Sequence, residues 1–377
     1  MNSATARRPR LVFLSSVATP QQVKFCTALQ DYFDATFWFY EHPDRTRGAW
    51  WRVDLGAHCE VLSRVLFAKT GPLAERYLPL GLEERLRILD PDIVMVGGFS
   101  IPGNWLAYRW AIRNGKRAVV FTERSRDASG ALRKNNVVWK LQRWLYRDVH
   151  QVIVSADDAV EQFRDEFQFG DKVVAGRYAS DLDDYFRHPE RKARSAYTYL
   201  FANRMTEIYN PLGAIDIFAA IRSRHPGSRL LMNAAGELGG ICRERIAALA
   251  LTEDVDFLDG LKSWSDLNDV YARSDVLLLP AHFSNGNFTI LEAMASGMGL
   301  VISNRILGIG KMVEDGHNGF NCEPTTDQFV DRVERYIADP ALFRKHAQIN
   351  RALVAPLGAK GTAARFDEIL NRDVPCK

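Results

Sequence analysis

The stretch "SDVLLLPAHFSNGNFTILEAMASGMGLVISN" (274–304) decides the fold. Two near-continuous apolar runs, VLLL and GLVIS, flank a segment whose apolar residues recur at three- and four-residue spacing. Neither run alternates, so neither has a wet face. They read as strands of a parallel sheet covered on both sides and joined by a crossover helix. Between the first strand and the helix lies a loop of small polar residues, SNGN (284–287). Asn287 or Thr289 suits the N-cap, and Gly286 lets the backbone turn closely. The unpaired N–H groups of such a first turn, with the helix dipole, make an anion site that fits a phosphate or diphosphate. Glu292 stands in or just after that turn, on an otherwise apolar helix.

The same rhythm extends outward. Upstream come YTYLFAN (197–203), a helix over 211–224, SRLLMNAAG (228–236), a helix near 241–250, VDFLDG (255–260) and a helix near 265–273; GFNCEP (319–324) follows downstream. The first half holds strands at 11–16, 34–40, 92–100, 117–123, 150–156 and 172–178, with helices over 21–32 and 103–114. The polar stretch FRHPERKARS (186–195) reads as a linker. The expected fold is α/β, with two doubly wound Rossmann-like domains facing across a cleft. Residues 1–190 and 191–352 form them, and 353–377 carry a final helix, about 354–371, that packs back on the first. Ligands of such sheets sit beyond the carboxyl ends of the strands.

Composition agrees. At roughly 100–200 residues per domain, 377 residues suit two domains. A net charge of +3 gives no case for nucleic acid. Five scattered cysteines without a C-x-x-C pair argue against a disulfide framework or zinc site and for a reducing compartment. The LVFL run near the start is too short for a secretion signal, and no apolar stretch approaches the roughly 20 residues that span a bilayer. The expected location is the cytoplasm, including the inner face of the membrane.

The pieces FANR (201–204), NAAGE (233–237), VDFLDG (255–260), RSDVLLLPA (273–281), ILEAMASGMGLVIS (290–303) and VEDGHNGF (313–320) occur in that order. Together they resemble glycosyltransferase family 4, retaining nucleotide-sugar enzymes of the GT-B fold. The resemblance is good over about 197–340 and holds in outline for the first half. It implies that Glu292, the second Glu of the family's E-x7-E, holds the nucleotide ribose. It implies that Arg204 neutralises the donor diphosphate and that amides around Phe288, Thr289 and Ile290 meet the phosphate. The base is expected near Leu258 to Lys262, with Gly236 at a Gly-rich strand end and Ser284, Asn285, Gly286 and Asn287 along the donor loop. No obligatory metal or cofactor is implied. DLDD (181–184) has the letters of a cation motif, but just before a linker it reads as a cap or a solvated turn.

Four positions depart from the family pattern. The first Glu of E-x7-E is Ser284, the diphosphate Lys is Tyr209, and the Glu of the Gly-rich donor-sugar loop is Lys311, which offers a substitute positive charge. Glu123 stands near the position of a functional His and reads as an orienting or acid/base group. Arg204, Glu123 and Glu292 are the expected catalytic set. Retained Arg204 and Glu292 favour an active transferase with an altered donor. The alternatives are a nucleotide-sugar epimerase on the same scaffold, or a non-catalytic protein that binds nucleotide or glycan or stabilises a partner.

The window 101–150 holds eleven Lys/Arg against three acids. Within it, ALRKNNVVWKLQRWLYRDVH interleaves aromatic and basic residues. Arg133, Lys134, Trp139, Lys140, Arg143 and Trp144 are therefore expected to face a glycan or lipid-linked acceptor, or an anionic membrane surface. RTRGAWWR (45–52) is a second aromatic and basic cluster.

Overall fold

The computed structural model describes residues 7–41, 53–69, 75–123, 137–177, 180–191, 194–284 and 286–371. The first half runs β1 (Arg10–Val17), α1 (Pro20–Leu29), β2 (Asp34–Glu41), β3 (Cys59–Val61), β4 (Val65–Lys69), β5 (Glu75–Pro79), α2 (Leu82–Leu89), β6 (Ile93–Gly97), α3 (Pro102–Arg113), β7 (Arg117–Thr122), α4 (Val137–Leu145), β8 (Gln151–Val154) and β9 (Val173–Ala175). The second half runs β10 (Thr198–Phe201), α5 (Pro211–Arg224), β11 (Arg229–Asn233), α6 (Gly239–Ala248), β12 (Val255–Leu258), α7 (Asp266–Ala272), β13 (Val276–Leu279), α8 (Phe288–Ala295), β14 (Gly299–Ser303), β15 (Phe320–Cys322), α9 (Thr326–Ala338), α10 (Pro340–Val354) and α11 (Ala359–Asn371).

Two parallel sheets result, ordered β3-β2-β1-β6-β7-β8-β9 and β12-β11-β10-β13-β14-β15. Strands such as β8 and β13 are buried at every residue, as their unbroken apolar runs require. In each sheet the chain order reverses beside the first strand, at β1/β6 and at β10/β13. The loops leaving those strands open at the carboxyl edge, where doubly wound sheets hold ligands. Thr19 starts α1: its Oγ1 accepts from Gln22 N at 3.3 Å, and Pro20 takes the first helical position. Asn210 caps α5 by accepting from Gly213 N at 3.1 Å, and its Nδ2 donates to Pro280 O at 3.0 Å. That bond ties the loop after β10 to the loop after β13.

Three features differ from the sequence expectation. β4 and β5 form a separate antiparallel hairpin. The stretch 325–353, read without elements, holds α9 and α10, so the last helix begins at Ala359 rather than 354. The supposed linker is fastened to the second domain over its described residues. The buried ring of His188 lies 3.1 Å from Ser296 Oγ and also bonds Asn268, while Arg191 donates to Tyr271 O at 2.7 Å and Ser274 O at 3.0 Å. A polar sequence becomes anchored because its side chains satisfy carbonyls at helix ends, which periodicity does not reveal.

Helix α11 packs on α1 and the first sheet. Phe366 is fully buried, with its ring 4.9 Å from Phe25 and 5.5 Å from Phe121, and Arg117 donates to the Leu370 and Ile369 carbonyls. Burying a side chain of that size contributes roughly 1.5–3 kcal/mol. The chain therefore crosses between domains a second time. The two crossings run side by side, joined by a parallel bridge between Ser180 and Gly358.

Candidate active site

A cavity of about 280 Å³ lies where the two carboxyl edges meet. Thr19 and Gln21 reach it from the start of α1, Asn203 and Arg204 from the loop after β10, and Asn287, Phe288, Thr289 and Glu292 from the cap and body of α8. The walls are completed mainly by Tyr209, Asn233, Ala235, Trp264 and Tyr271. Both topological switch points thus serve one site.

The start of α8 is organised by Asn287. Its backbone is extended, and its Oδ1 accepts from Thr289 N at 3.2 Å. Its Nδ2 is buried without a hydrogen-bond partner among the described residues, so a donor is left beside the helix N-terminus. Arg204 lies exposed at the mouth, and no ion pair or side-chain hydrogen bond among the described residues engages its guanidinium. A free cation facing a helix N-terminus suits an anionic ligand.

Glu292 is buried. Tyr271 Oη donates to its Oε2 at 2.6 Å, and Gln21 bonds to it from the other domain. Burial pushes its pKa up to about 7, while the bonds from Tyr271 and Gln21 oppose the rise and the nearby charge of Asp181 adds to it. A carboxylate in that state accepts hydroxyl donors readily, because each bond offsets lost hydration.

Several expected donor contacts fall elsewhere. Ser284 is buried and absent from the cavity wall; its Oγ donates to Gly286 O at 2.7 Å and its carbonyl accepts from Leu307 N at 2.9 Å. A side chain too short to reach the cleft has turned back onto its own loop. Gly236 has φ +142°, and a Cβ there would collide with the Met205 backbone, so this glycine serves a close chain approach. Leu258 ends β12 inside the core, and Ile290 is buried beneath α8. Lys311 is exposed on the 308–312 turn, outside the cavity wall. Glu123 follows β7 and also lies outside that wall. Tyr209, Gly286, Asn287, Phe288, Thr289, Glu292 and Arg204 are brought together. Asn285, Arg133 and Lys134, with the cluster 45–52, lie outside the described residues.

Sequence reasoning missed Gln21, Asn203 and Trp264. Trp264 takes the place assigned to 258–262 as the large wall of the cavity. Its loop is pinned by Asp266, whose carboxylate accepts from Lys262 N at 2.7 Å, Ser263 N at 3.0 Å and Ser263 Oγ at 2.9 Å. An Asp three residues after a Ser at a helix start was the available signal. Trp139 is also corrected. It packs inward, with its ring 3.9 Å from Phe167 and 5.3 Å from Phe99, whereas Lys140, Arg143 and Trp144 remain exposed. Among the described residues no group of three or more His, Cys, Asp or Glu is placed to hold a metal, and no helix is long and apolar enough to cross a membrane.

Known proteins share this architecture. A family model described as glycosyl transferases group 1 matches residues 184–352, and one described as glycosyl transferase 4-like domain matches 18–175. Glycogen synthase of Mycobacterium tuberculosis is 26% identical over 230 residues, 59% of this chain and 53% of that protein. Mannosylfructose-phosphate synthase of Agrobacterium fabrum is 31% identical over 118 residues, 29% of this chain and 26% of that protein. The chain thus spans about half the length of the first of these curated relatives. Among solved structures, Anabaena Alr3699/HepE in complex with UDP superposes with a TM-score of 0.73 at 14% identity, covering 96% of this chain and 99% of that one. A glycosyltransferase from Rickettsia africae gives 0.71 at 14% identity, covering 97% and 100%.

Proposed function

The chain belongs to the group 1 glycosyltransferases and has the GT-B fold, and from that premise we propose that it moves a glycosyl group from a nucleotide-sugar donor to a glycan or lipid-linked acceptor, with retention at the anomeric carbon. Synthesis of surface polysaccharide or glycoconjugate is the setting this reading fits. One observation carries it: an unpaired guanidinium, a helix N-terminus and a buried carboxylate converge on one cavity between two sheets.

In this reading the donor diphosphate lies between Arg204 and the start of α8, with Asn287 Nδ2 as a further donor. Glu292 accepts the ribose hydroxyls. The bond from the anomeric carbon to the diphosphate breaks, the acceptor oxygen bonds the same face of the sugar, and its proton passes to the leaving phosphate. Arg204 stabilises the charge that grows on that phosphate, a term worth about 10²–10³ in rate for one well-placed donor. The family resemblance implies no obligatory metal or cofactor, and the expected outcome is that a chelator leaves turnover unchanged.

A second reading rests on a specific observation. Ser284 is turned into its own loop and Tyr209 stands in for the diphosphate cation, so the site lacks a charged group at both its sugar end and its diphosphate end. A nucleotide- or glycan-binding protein without transfer activity fits that arrangement. A thermal-shift screen of UDP-, GDP-, ADP- and dTDP-sugars tests the nucleotide site. A ligand at about 100 times its Kd raises stability by roughly 2.7 kcal/mol, and Arg204→Ala removes the shift. If no nucleotide moves the wild type, the donor assignment fails. Slow donor hydrolysis by a protein that does bind separates the transferase from the silent binder. The anomeric configuration of the transferred sugar then decides retention.

A further inference from the structure

Gln21 is 5% exposed, although glutamine is ordinarily a surface residue. Local chemistry fixes its place at the start of α1. Thr19 caps the helix, Pro20 takes its first position, and Gln22 Nε2 donates to Ser15 Oγ at 2.9 Å, which ties the first turn to β1. Gln21 and Glu292 both line the cavity, and their side chains bond across it. An ionised carboxylate only accepts, and a carboxamide donates only through its NH2 group, so Gln21 Nε2 is the donor. Tyr271 Oη supplies a second donor from α7, within the same domain as Glu292.

We propose that Gln21 is a positioning residue whose amide, reaching across the cleft, holds Glu292 as an oriented carboxylate while the two halves are together. Burial by itself favours the neutral acid, which spends one oxygen on its own proton and accepts less from a ligand. Hydrogen bonds to the charged form offset that preference. The charges around the site do not replace them. Asp181 opposes ionisation, and its own partner is Lys24 at 3.4 Å. Tyr185 is a phenol kept neutral by burial. On the elements packed against α8, Arg351 donates to the carbonyls of His188 and Ser296, and Lys311 is exposed on the 308–312 turn. Arg204 is exposed at the mouth of the cavity. Ionisation thus leans on two donors, and one of them belongs to the other half. With both in place the carboxyl has a pKa of about 7, so at neutral pH the loss of one donor tips it to the acid. Parting the halves removes Gln21, and the charge of Glu292 is in this way tied to closure of the cleft. The effect on ligand binding rests on the reading of Glu292 as the ribose acceptor; the effect on its charge does not.

The test unfolds the wild type and Gln21→Met, which removes the donor and keeps the length, in urea from pH 4.5 to pH 9. A group whose folded pKa is raised stabilises the fold below its unfolded value and loses that contribution as pH rises through the folded value. In Gln21→Met the loss runs on for about one pH unit more, since a donor to a charged group is gone. The ratio of the two folding equilibrium constants therefore widens about tenfold between pH 6 and pH 9. Gln21→Glu widens it at least as much, because a like charge replaces a donor. A purely structural role lowers stability by one factor at every pH, and a constant ratio in both variants overturns the proposal. Affinity for UDP and GDP reads the consequence. It falls about fivefold in Gln21→Met at pH 7 and recovers by pH 9. An equal loss at both pH values also overturns the proposal. A wild type that binds neither nucleotide removes the ribose reading and leaves the unfolding comparison to decide this one.

Discussion

Residues 284 and 292 flank the start of the same helix, and both are buried, yet the fold uses them in opposite ways. Glu292 is held by Tyr271 from its own domain and Gln21 from the other, and it faces the cavity. Ser284 closes on Gly286 and Leu307 and does not. In the proposed reading the nucleotide end of the site would be built from groups aimed at a ligand, and the sugar end from groups aimed at each other. Chemistry retained at one end and surrendered at the other is what an altered donor requires, and equally what a silent binder requires.

The contrast is breakable. Arg204→Ala is expected to have the largest effect, about 10²–10³ in transfer rate together with loss of the nucleotide-induced thermal shift. The apo melt is expected to stay unchanged, because no side-chain hydrogen bond or ion pair among the described residues engages the guanidinium. Trp264→Ala comes next. Loss of an aromatic wall against a base is worth about 1–3 kcal/mol, so nucleotide affinity falls by roughly tenfold or more by calorimetry, while Trp264→Phe stays near wild type. Equal losses in both variants would show that the wall is not a stacking surface.

The pH dependence of Glu292 follows. Its folded pKa is about 7, above the ordinary 4.5, because burial disfavours the charge. The folded state therefore holds a proton that the unfolded state has released between those values. Apo stability falls as pH rises through that window, by on the order of 1 kcal/mol per unit at most. Ribose hydroxyls favour the ionised carboxylate, so nucleotide affinity moves the other way, rising up to about tenfold per unit below pH 7 and levelling above it. Calorimetry in two buffers of different ionisation enthalpy reads the released proton. No release near pH 6.5 would mean that Glu292 does not receive the ligand. Ser284→Ala is expected to do least: a loop hydrogen bond of about 1 kcal/mol is lost and nucleotide affinity holds within about threefold. A larger loss of affinity would erase the distinction between the two ends.

Much of this was legible because it is local. α5 was read at its observed bounds, since Asn210-Pro211 marks its start and apolar spacing its face. The parallel strands announced themselves as unbroken apolar runs, and the Gly/Asn loop with its helix marked one wall of the cavity. What escaped depends on contacts across the sequence. Gln21 meets Glu292 only because two sheets face each other. β4 leaves Leu66 and Phe67 exposed, so no buried alternation marked it as a strand. Trp139 and Trp144 lie five positions apart on one short helix and face opposite ways, which composition cannot tell.

The paired crossings at Ser180 and Gly358 have a mechanical consequence. A lobe held by one strand of chain can swivel about any axis through its tether. Two adjacent tethers, bonded to each other and each fastened at its far end by Arg191 or Arg117, restrict that freedom, and Asp158 adds another tie between the halves by accepting from Gly308 N at 3.2 Å. A change in the angle between the halves that keeps this bridge would pivot near Ser180 and Gly358 and alter the separation of Gln21 and Glu292.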